Sequence, residues 1–212
     1  MNMKQVYFSR LSIFLLLFSF LAFPPAVPNE LPPDASTEKL LLNKELHRII
    51  FSEKLPEDLK ISYKYNGGGP PGEAVIEDGL NINGNGIVWY NTTSFCEKNG
   101  YWDHPRYKYL ITREEILEIL RELAKNEFIT RTFEEEINNV PNDCAFRSFR
   151  LSINGKSVEK TFLEKTHSKE DIRFLSSSEY LKQYIGKGLP KELERLQFLI
   201  DNVIRKRHKI QQ

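Results

Sequence analysis

The sequence predicts an α+β domain in which an antiparallel sheet of about five strands carries helices packed on one face. Two stretches of alternating apolar and polar residues, 61–90 and 149–163, indicate the strands, because successive side chains of a strand point to opposite faces. Asn-Gly sequences at 83–86 and 154–155 suit tight hairpin turns within these stretches. Segments of helical period lie before, between and after them. Local hairpins make the sheet antiparallel, and its apolar face needs a covering layer of helices.

The N-terminus predicts export. Residues 1–10 contain Lys4 and Arg10 but no acidic residue, and the thirteen residues 11–23 are almost entirely apolar. This is the pattern of a secretory signal peptide, and it is shorter than the about 18–20 residues that a membrane-spanning helix needs. We expect residues 1–26 to be a signal peptide or, if uncleaved, an N-terminal anchor. The protein would then be exported, to the periplasm or the extracellular space.

The remainder of the chain is expected to be one folded unit. Residues 27–36 are rich in proline and predict an extended linker, and residues 37–212 predict a single α+β domain. A short helix is expected over residues 37–51, where four apolar residues share a face at helical spacing. They are Leu42, Leu46, Ile49 and Ile50.

The first half of the sheet is predicted from residues 61–90. The strand at 61–65 alternates apolar and polar residues and stops at a glycine- and proline-rich break over 66–72. In the next stretch, as far as Ile82, the apolar residues fall on alternate positions, which predicts a second strand. Residues 87–90 are expected to run back beside it as a third strand. Residues 91–109 show no periodicity and are rich in aromatic residues. We expect a loop there, either a cap over the sheet or an exposed contact surface.

The second half begins with the clearest helix signal. Thr112 and Glu115 have the spacing of a capping box, in which each side chain bonds the backbone amide of the other residue. The apolar stripe that follows consists of Ile116, Leu120 and Leu123. A polar loop is expected over 130–142 and a hairpin over 149–163. A second capping box at Ser176 and Glu179 predicts another helix, and Pro190 opens a last helix with the stripe Leu193, Leu196, Ile200 and Val203.

The two cysteines are expected to form a disulfide bond. Cys96 and Cys144 lie 48 positions apart, and an even number of cysteines in an exported chain favours pairing. Such a bond would stabilise the fold by about 3–4 kcal/mol. The alternative is two buried free thiols.

The residue pattern indicates no catalytic, metal or cofactor site. The four histidines are scattered without metal-binding spacing, and a net charge of +1 does not point to nucleic acid. The adjacent pair Asp103 and His104 leaves one enzymatic alternative, with nearby carboxylates completing an acid–base set. We expect a protein that is not an enzyme.

The order of elements resembles the emfourin-type proteins, which are small bacterial inhibitors of thermolysin-like metalloproteinases. The matching pieces are the strand at 61–65 with its glycine turn at 66–69, the turn at 83–86, a helix over 114–128, residues 143–147 leading into the hairpin, and the Pro190 helix start. The resemblance implies a proteinase inhibitor whose glycine turn is the surface offered to the enzyme.

These observations predict an exported, non-enzymatic protein-binding domain, with proteinase inhibition as one version of that function. The partner would be a secreted metalloproteinase or another envelope protein, and membrane contact would occur only through an uncleaved N-terminal segment. The loops at 66–72 and 95–109 are the expected contact surface. Its residues are Asn66, Gly67, Gly68, Gly69, Tyr101 and Trp102. The alternative is an envelope-associated structural domain held by its uncleaved N-terminal helix.

We predict that mass spectrometry of the protein isolated from its native cells will find a soluble form that lacks the N-terminal apolar segment. An intact Met1 segment in the membrane fraction would instead support the anchored structural domain.

Overall fold

A computed structural model describes residues 34–67, 77–96, 101–139, 144–164 and 187–206, without the side chains of residues 77, 94–96 and 101–103. Several predictions fall elsewhere in the chain. The signal peptide, nearly all of the proline-rich linker, Gly68, Gly69 and the helix expected after Ser176 lie outside the described residues and stay predictions.

The described residues form seven strands and three α-helices. The strands are β1 (Lys60–Asn66), β2 (Glu77–Asn83), β3 (Ile87–Cys96), β4 (Tyr101–Asp103), β5 (Arg106–Leu110), β6 (Phe146–Ile153) and β7 (Lys156–Leu163). The helices are α1 (Ala35–Ser52), α2 (Arg113–Lys125) and α3 (Glu194–Arg205), with a 3-10 turn at Lys191–Leu193 before α3. None of the described helices has the length and apolar character needed to cross a membrane.

The strands form one antiparallel sheet in the order β4-β3-β2-β1-β6-β7, and β5 pairs with β3 beside β4. β1 is central, because it pairs with β2 on one side and β6 on the other. The predicted α+β class with an antiparallel sheet is confirmed. The described sheet has two more strands than the about five that alternation predicts.

Both predicted hairpin turns form. In the turn between β2 and β3 the Gly86 amide donates to the Asn83 carbonyl at 2.9 Å, and Gly86 has a φ of 84°. Between β6 and β7, Asn154 and Gly155 have φ values of 51° and 72°. Two successive positive φ values are what a type I′ turn requires, so Asn-Gly is the suitable pair there.

The prediction of a loop over residues 91–109 is wrong. β3 continues to Cys96, and β4 and β5 follow it within this stretch. In β5 the side chain of Tyr109 is buried on the helix side, whereas Arg106 and Lys108 are exposed on the other. The alternation is therefore present, but β5 is only five residues long, and the outward Leu110 interrupts its polar positions.

The helices cover one face of the sheet and form the main core with it. Leu46 of α1 and Leu120 of α2 are completely buried against inward residues such as Ile82 and Leu151. The predicted helices over 37–51 and after Thr112 are both confirmed. Thr112 and Glu115 form the predicted capping box, in which the Thr112 amide donates to Glu115 Oε2 at 2.9 Å.

Two tyrosine hydroxyls attach α3 to the sheet. Tyr109 donates to the carbonyl of Val203 at 3.0 Å, and Gln197 Nε2 donates to the hydroxyl of Tyr63 at 3.4 Å. Burial raises the pKa of Tyr63 to about 12. The hydroxyl therefore stays protonated into the alkaline range, and its oxygen accepts from Gln197.

The segment after α2 is held against β7 by a buried lysine. Lys160 points into the helix side of the sheet and is only 3% exposed. Its Nζ donates to the Arg131 carbonyl and to Glu136 Oε2, both at 2.8 Å, and lies over the rings of Phe128 and Phe133. The ammonium is thus paired and packed, as a buried charge must be.

We predict that Lys160→Ala lowers the free energy of unfolding by about 3 kcal/mol, because the substitution leaves the Glu136 carboxylate without its partner and opens a gap beside Phe133. Urea denaturation measures the effect. Lys44→Ala, on an exposed position of α1, is the control and should change stability by less than about 0.5 kcal/mol. Equal losses for the two variants would contradict the structural role of Lys160.

We predict a pH-dependent role for Glu115. Burial alone would raise the pKa of this carboxyl, but bonds from Lys206 and Thr112 outweigh burial and lower the pKa. A lowered folded-state pKa contributes stability above the unfolded-state value, and this contribution is lost as pH falls through the folded-state value. Glu115→Gln should therefore cost about 1 kcal/mol at neutral pH and progressively less in acid.

Urea denaturation across the acidic range checks this prediction, with Glu57→Gln in an exposed turn as the matched control. A Glu115→Gln penalty that does not change from neutral to acidic pH would contradict it.

Candidate functional site

The sheet has a second face, opposite the helices, which we call the open face. It consists of the outward-pointing side chains of six strands, set by the pleat in which every second residue shares a face. They are Lys60, Ser62 and Lys64 of β1; Gly79, Asn81 and Asn83 of β2; Ile87, Trp89 and Asn91 of β3; Arg106, Lys108 and Leu110 of β5; Ser148, Arg150 and Ser152 of β6; and Ser157, Glu159 and Thr161 of β7.

One row of residues crosses the open face through its centre. The strand register places Ser62 between Asn81 and Arg150, and the row continues to Trp89 and Lys108 on one side and to Glu159 on the other. The Ser62 hydroxyl donates to Asn81 Oδ1 at 2.8 Å. The row therefore presents amide, hydroxyl, guanidinium and carboxylate groups on one plane, next to an indole ring.

A shallow groove of about 300 Å³ lies beside this row, around Gly79. The glycine leaves room for the Asn91 side chain to lie across it, since a Cβ at position 79 would come within 2.8 Å of Asn91 Oδ1. Lys64 and Ser148 line the groove on the β1 and β6 side. The centre of the open face is therefore slightly concave and polar.

The open face is strongly cationic, although the whole chain has a net charge of only +1. Its described side chains include five exposed cations, Lys60, Lys64, Arg106, Lys108 and Arg150, and one carboxylate, Glu159. A surface with this excess of positive charge attracts an acidic partner over distances up to about the Debye length of 8–10 Å.

The β3–β5 side of the open face also exposes apolar surface. Trp89 is 47% exposed and Leu110 is 70% exposed, and both point outward. The Nζ of Lys108 lies 4.9 Å from the centre of the Trp89 indole, within range of a cation–π contact. Aromatic residues and arginine are enriched in protein interfaces, and both occur on the open face.

The predicted contact residues lie at one end of the sheet, outside the central row and the groove. Asn66 ends β1, where it pairs with Glu77 and with Phe146. Glu77 pairs in turn with Thr93, the residue just before β3 starts to pair with β4. The β1–β2 and β3–β4 connections therefore leave the sheet at the same end.

Individual contact residues are described to different extents. Gly67 follows β1 and is described, whereas Gly68 and Gly69 lie outside the described residues. Tyr101 and Trp102 belong to β4, where their backbones pair with Cys96 and Phe95, but their side chains lie outside the described residues.

The other residues singled out from the sequence also lie outside the central row and the groove. Cys144 contacts Ile137 and Leu163, and the structure describes no disulfide bond within its ranges; the Cys96 side chain lies outside them, so the pairing stays a prediction. His104 Nδ1 lies 3.0 Å from Thr93 Oγ1, and the Asp103 side chain is not among those described. Within the described ranges, no three His, Cys, Asp or Glu residues lie together in a way that could hold a metal.

A larger cavity of about 480 Å³ lies between the end of α1 and the β2–β3 turn. Arg113 donates to the Glu53 carbonyl at 2.7 Å, and Arg121 contacts the Glu53 carboxylate at 3.2 Å. These groups bond one another and join α1 to α2, so we assign the cavity a structural role.

No family model matches the chain, and no curated protein matches it either. Its function must therefore be argued from its own residues.

We predict that Trp89 contributes little to stability although it is large. Trp89→Ala should lower the free energy of unfolding by less than about 1 kcal/mol, because the side chain is half exposed and contacts Lys108 rather than the core. Tyr90→Ala, the next residue in the same strand, should cost at least about 3 kcal/mol because that side chain is buried. Urea denaturation compares the two, and a larger loss for Trp89→Ala would show that the open face helps hold the fold.

Proposed function

We propose that this chain is an exported, non-enzymatic domain that binds another protein through the open face of its sheet. The observation that carries the proposal is the composition of that face, which combines exposed cations with a half-exposed tryptophan while the helices pack on the other side. An exposed tryptophan contributes little to the stability of the fold, and a surface patch that combines tryptophan with cations is typical of a contact surface.

The charge of the open face indicates the chemistry of the partner. Lys64 and Arg150 lie near its centre, and Arg106 and Lys108 lie at its β5 side. A protein with an acidic contact surface would pair with these groups, and the charge would both speed association and orient the complex. Asn81 and Asn91, near the centre of the open face, offer side-chain amides for hydrogen bonds to the partner.

Site-specific photo-crosslinking in the native cells tests the proposal directly. A photoreactive p-benzoylphenylalanine at position 64, in the middle of the open face, should give a crosslinked protein of higher mass. The same group at position 44, on an exposed site of α1, is the control and should give none. Equal crosslinking from both positions, none from position 64, or a product that a nuclease removes would contradict the proposal.

Charge reversal adds a matched test. Arg150→Glu should abolish the crosslink from position 64, because it reverses the charge of one central side chain and lowers the net charge of the contact surface by two units, whereas Lys44→Glu should not. Arg150 is exposed, and its described side-chain hydrogen bond goes to the exposed Ser157 hydroxyl at 3.1 Å, so the variant should still fold, with a small loss of stability from the like charge opposite Glu159.

The inhibitor version of the function has its own experiment. It rests on the resemblance to emfourin-type proteins, and its partner would be a thermolysin-like metalloproteinase. Purified mature protein should inhibit such an enzyme, and the Arg150→Glu variant should inhibit it less. An absence of inhibition at about a hundredfold excess over the enzyme would remove this version and leave protein binding in general.

A further inference from the structure

The two edges of the sheet differ in how they are protected. On β7, the chain's own residues cover the edge, because the Ile137 amide donates to the Thr161 carbonyl at 2.9 Å and Lys160 holds the same segment. On the opposite side, β5 pairs with β3 and with no other strand among the described residues. An edge strand of this kind presents a row of backbone donors and acceptors.

The backbone groups that face outward from β5 can be assigned from its ladder. The Ile111 amide donates to the Gly86 carbonyl at 3.0 Å, and the Thr92 amide donates to the Pro105 carbonyl at 3.2 Å. In an antiparallel pair, hydrogen-bonded and non-hydrogen-bonded positions alternate. These two bonds therefore make Tyr109 and Tyr107 the bonded positions, which leaves the amides and carbonyls of the other three residues pointing away from β3. They are Arg106, Lys108 and Leu110.

The side chains of these same three residues lie on the open face. Arg106 and Lys108 are exposed cations and Leu110 is an exposed apolar residue next to Trp89 in the neighbouring strand. A strand added beside β5 would continue the pleat and place every second side chain next to them. Acidic residues would then face Arg106 and Lys108, and an apolar residue would face Leu110.

The same charges argue against a second copy of this chain as the occupant. Two β5 edges brought together would place lysine and arginine of one copy against those of the other, and such like-charge contacts destabilise a sheet. The charge complement of this edge is an acidic strand from a different protein.

We infer that β5 receives an extended acidic segment of the partner protein as an added strand. This inference rests on the proposed function, since the added strand would extend the open face toward the bound partner. Strand addition obtains affinity from main-chain hydrogen bonds and selectivity from alternate side chains.

A peptide titration followed by NMR tests the inference on the full mature chain. The probe is an end-blocked peptide of eight alternating threonine and glutamate residues, and the control replaces each glutamate by lysine. The acidic peptide should shift the amide signals of Arg106, Lys108 and Leu110 and slow their hydrogen exchange. The amides of Tyr107 and Tyr109, which face β3, should change little. An absence of shifts, shifts elsewhere only, or equal shifts with the basic peptide would overturn the inference.

A matched pair of variants separates backbone pairing from charge. Lys108→Gln and Lys108→Pro both remove the charge, but only proline also removes the backbone amide donor that faces away from β3. Proline is tolerated at an edge position whose amide faces away from the sheet, so the β3 ladder should survive. Lys108→Pro should bind the acidic peptide about threefold to tenfold more weakly than Lys108→Gln. Equal binding by the two variants would overturn strand addition.

The two proposals fail separately. Crosslinking from position 64 reports contact at the centre of the open face, and the proline effect reports pairing at β5. Retained crosslinking with no proline effect would remove only the added strand. Peptide binding at β5 without crosslinking from position 64 would instead remove the open face as the main contact surface.

Discussion

The pairing of β1 with both β2 and β6 is the constraint on which the rest of the structure depends. It joins the meander of β1 to β3 with the hairpin of β6 and β7, two units that are far apart in the sequence. Because β1 alternates strictly, both registers must place Ile61 and Tyr63 toward the helices and Ser62 and Lys64 away from them. A shift of one residue in either pairing would move polar side chains into the core.

The same pleat explains how a buried lysine and an exposed tryptophan occur in one sheet. Lys160 has the inward parity of β7 and is accepted there because a carbonyl and a carboxylate bond its ammonium. Trp89 has the outward parity of β3, and the side chain beside it is the exposed Lys108 rather than a core residue. Position along the strand, rather than residue type alone, decides on which face of the sheet each side chain lies.

Sequence patterns predict most of the described fold because its main signals are local. Thr112 and Glu115 form a capping box within one turn, and Asn154 and Gly155 make their hairpin turn without help from distant residues. β4 and β5 were not predicted because they are only three and five residues long, and the outward Leu110 interrupts the alternation of β5. The segment predicted as a polar loop, 130–142, contains Phe133 and Ile137 in its described part, and both side chains are buried because the segment packs against β7.

The candidate site was less predictable than the fold. The polar parity of β1, with Lys60, Ser62 and Lys64, already indicates a solvent-facing side of a strand, but its meaning depends on which strands become neighbours. Only the register brings Arg150 of β6 and Trp89 of β3 into one row with Ser62. Glycine turns and aromatic residues stand out in a sequence, whereas a contact surface assembled from single residues of six strands does not.

Because the architecture has two layers, selection for stability and selection on the surface of the sheet act on different residues of the same strands. Since the layer of helices meets only the inward residues, substitutions at Asn81, Asn91 or Arg150 can change the chemistry of the open face without loosening the hydrophobic interior. Such a scaffold could diversify toward new ligands one outward position at a time, while the side facing α1, α2 and α3 retains the residues that keep it folded.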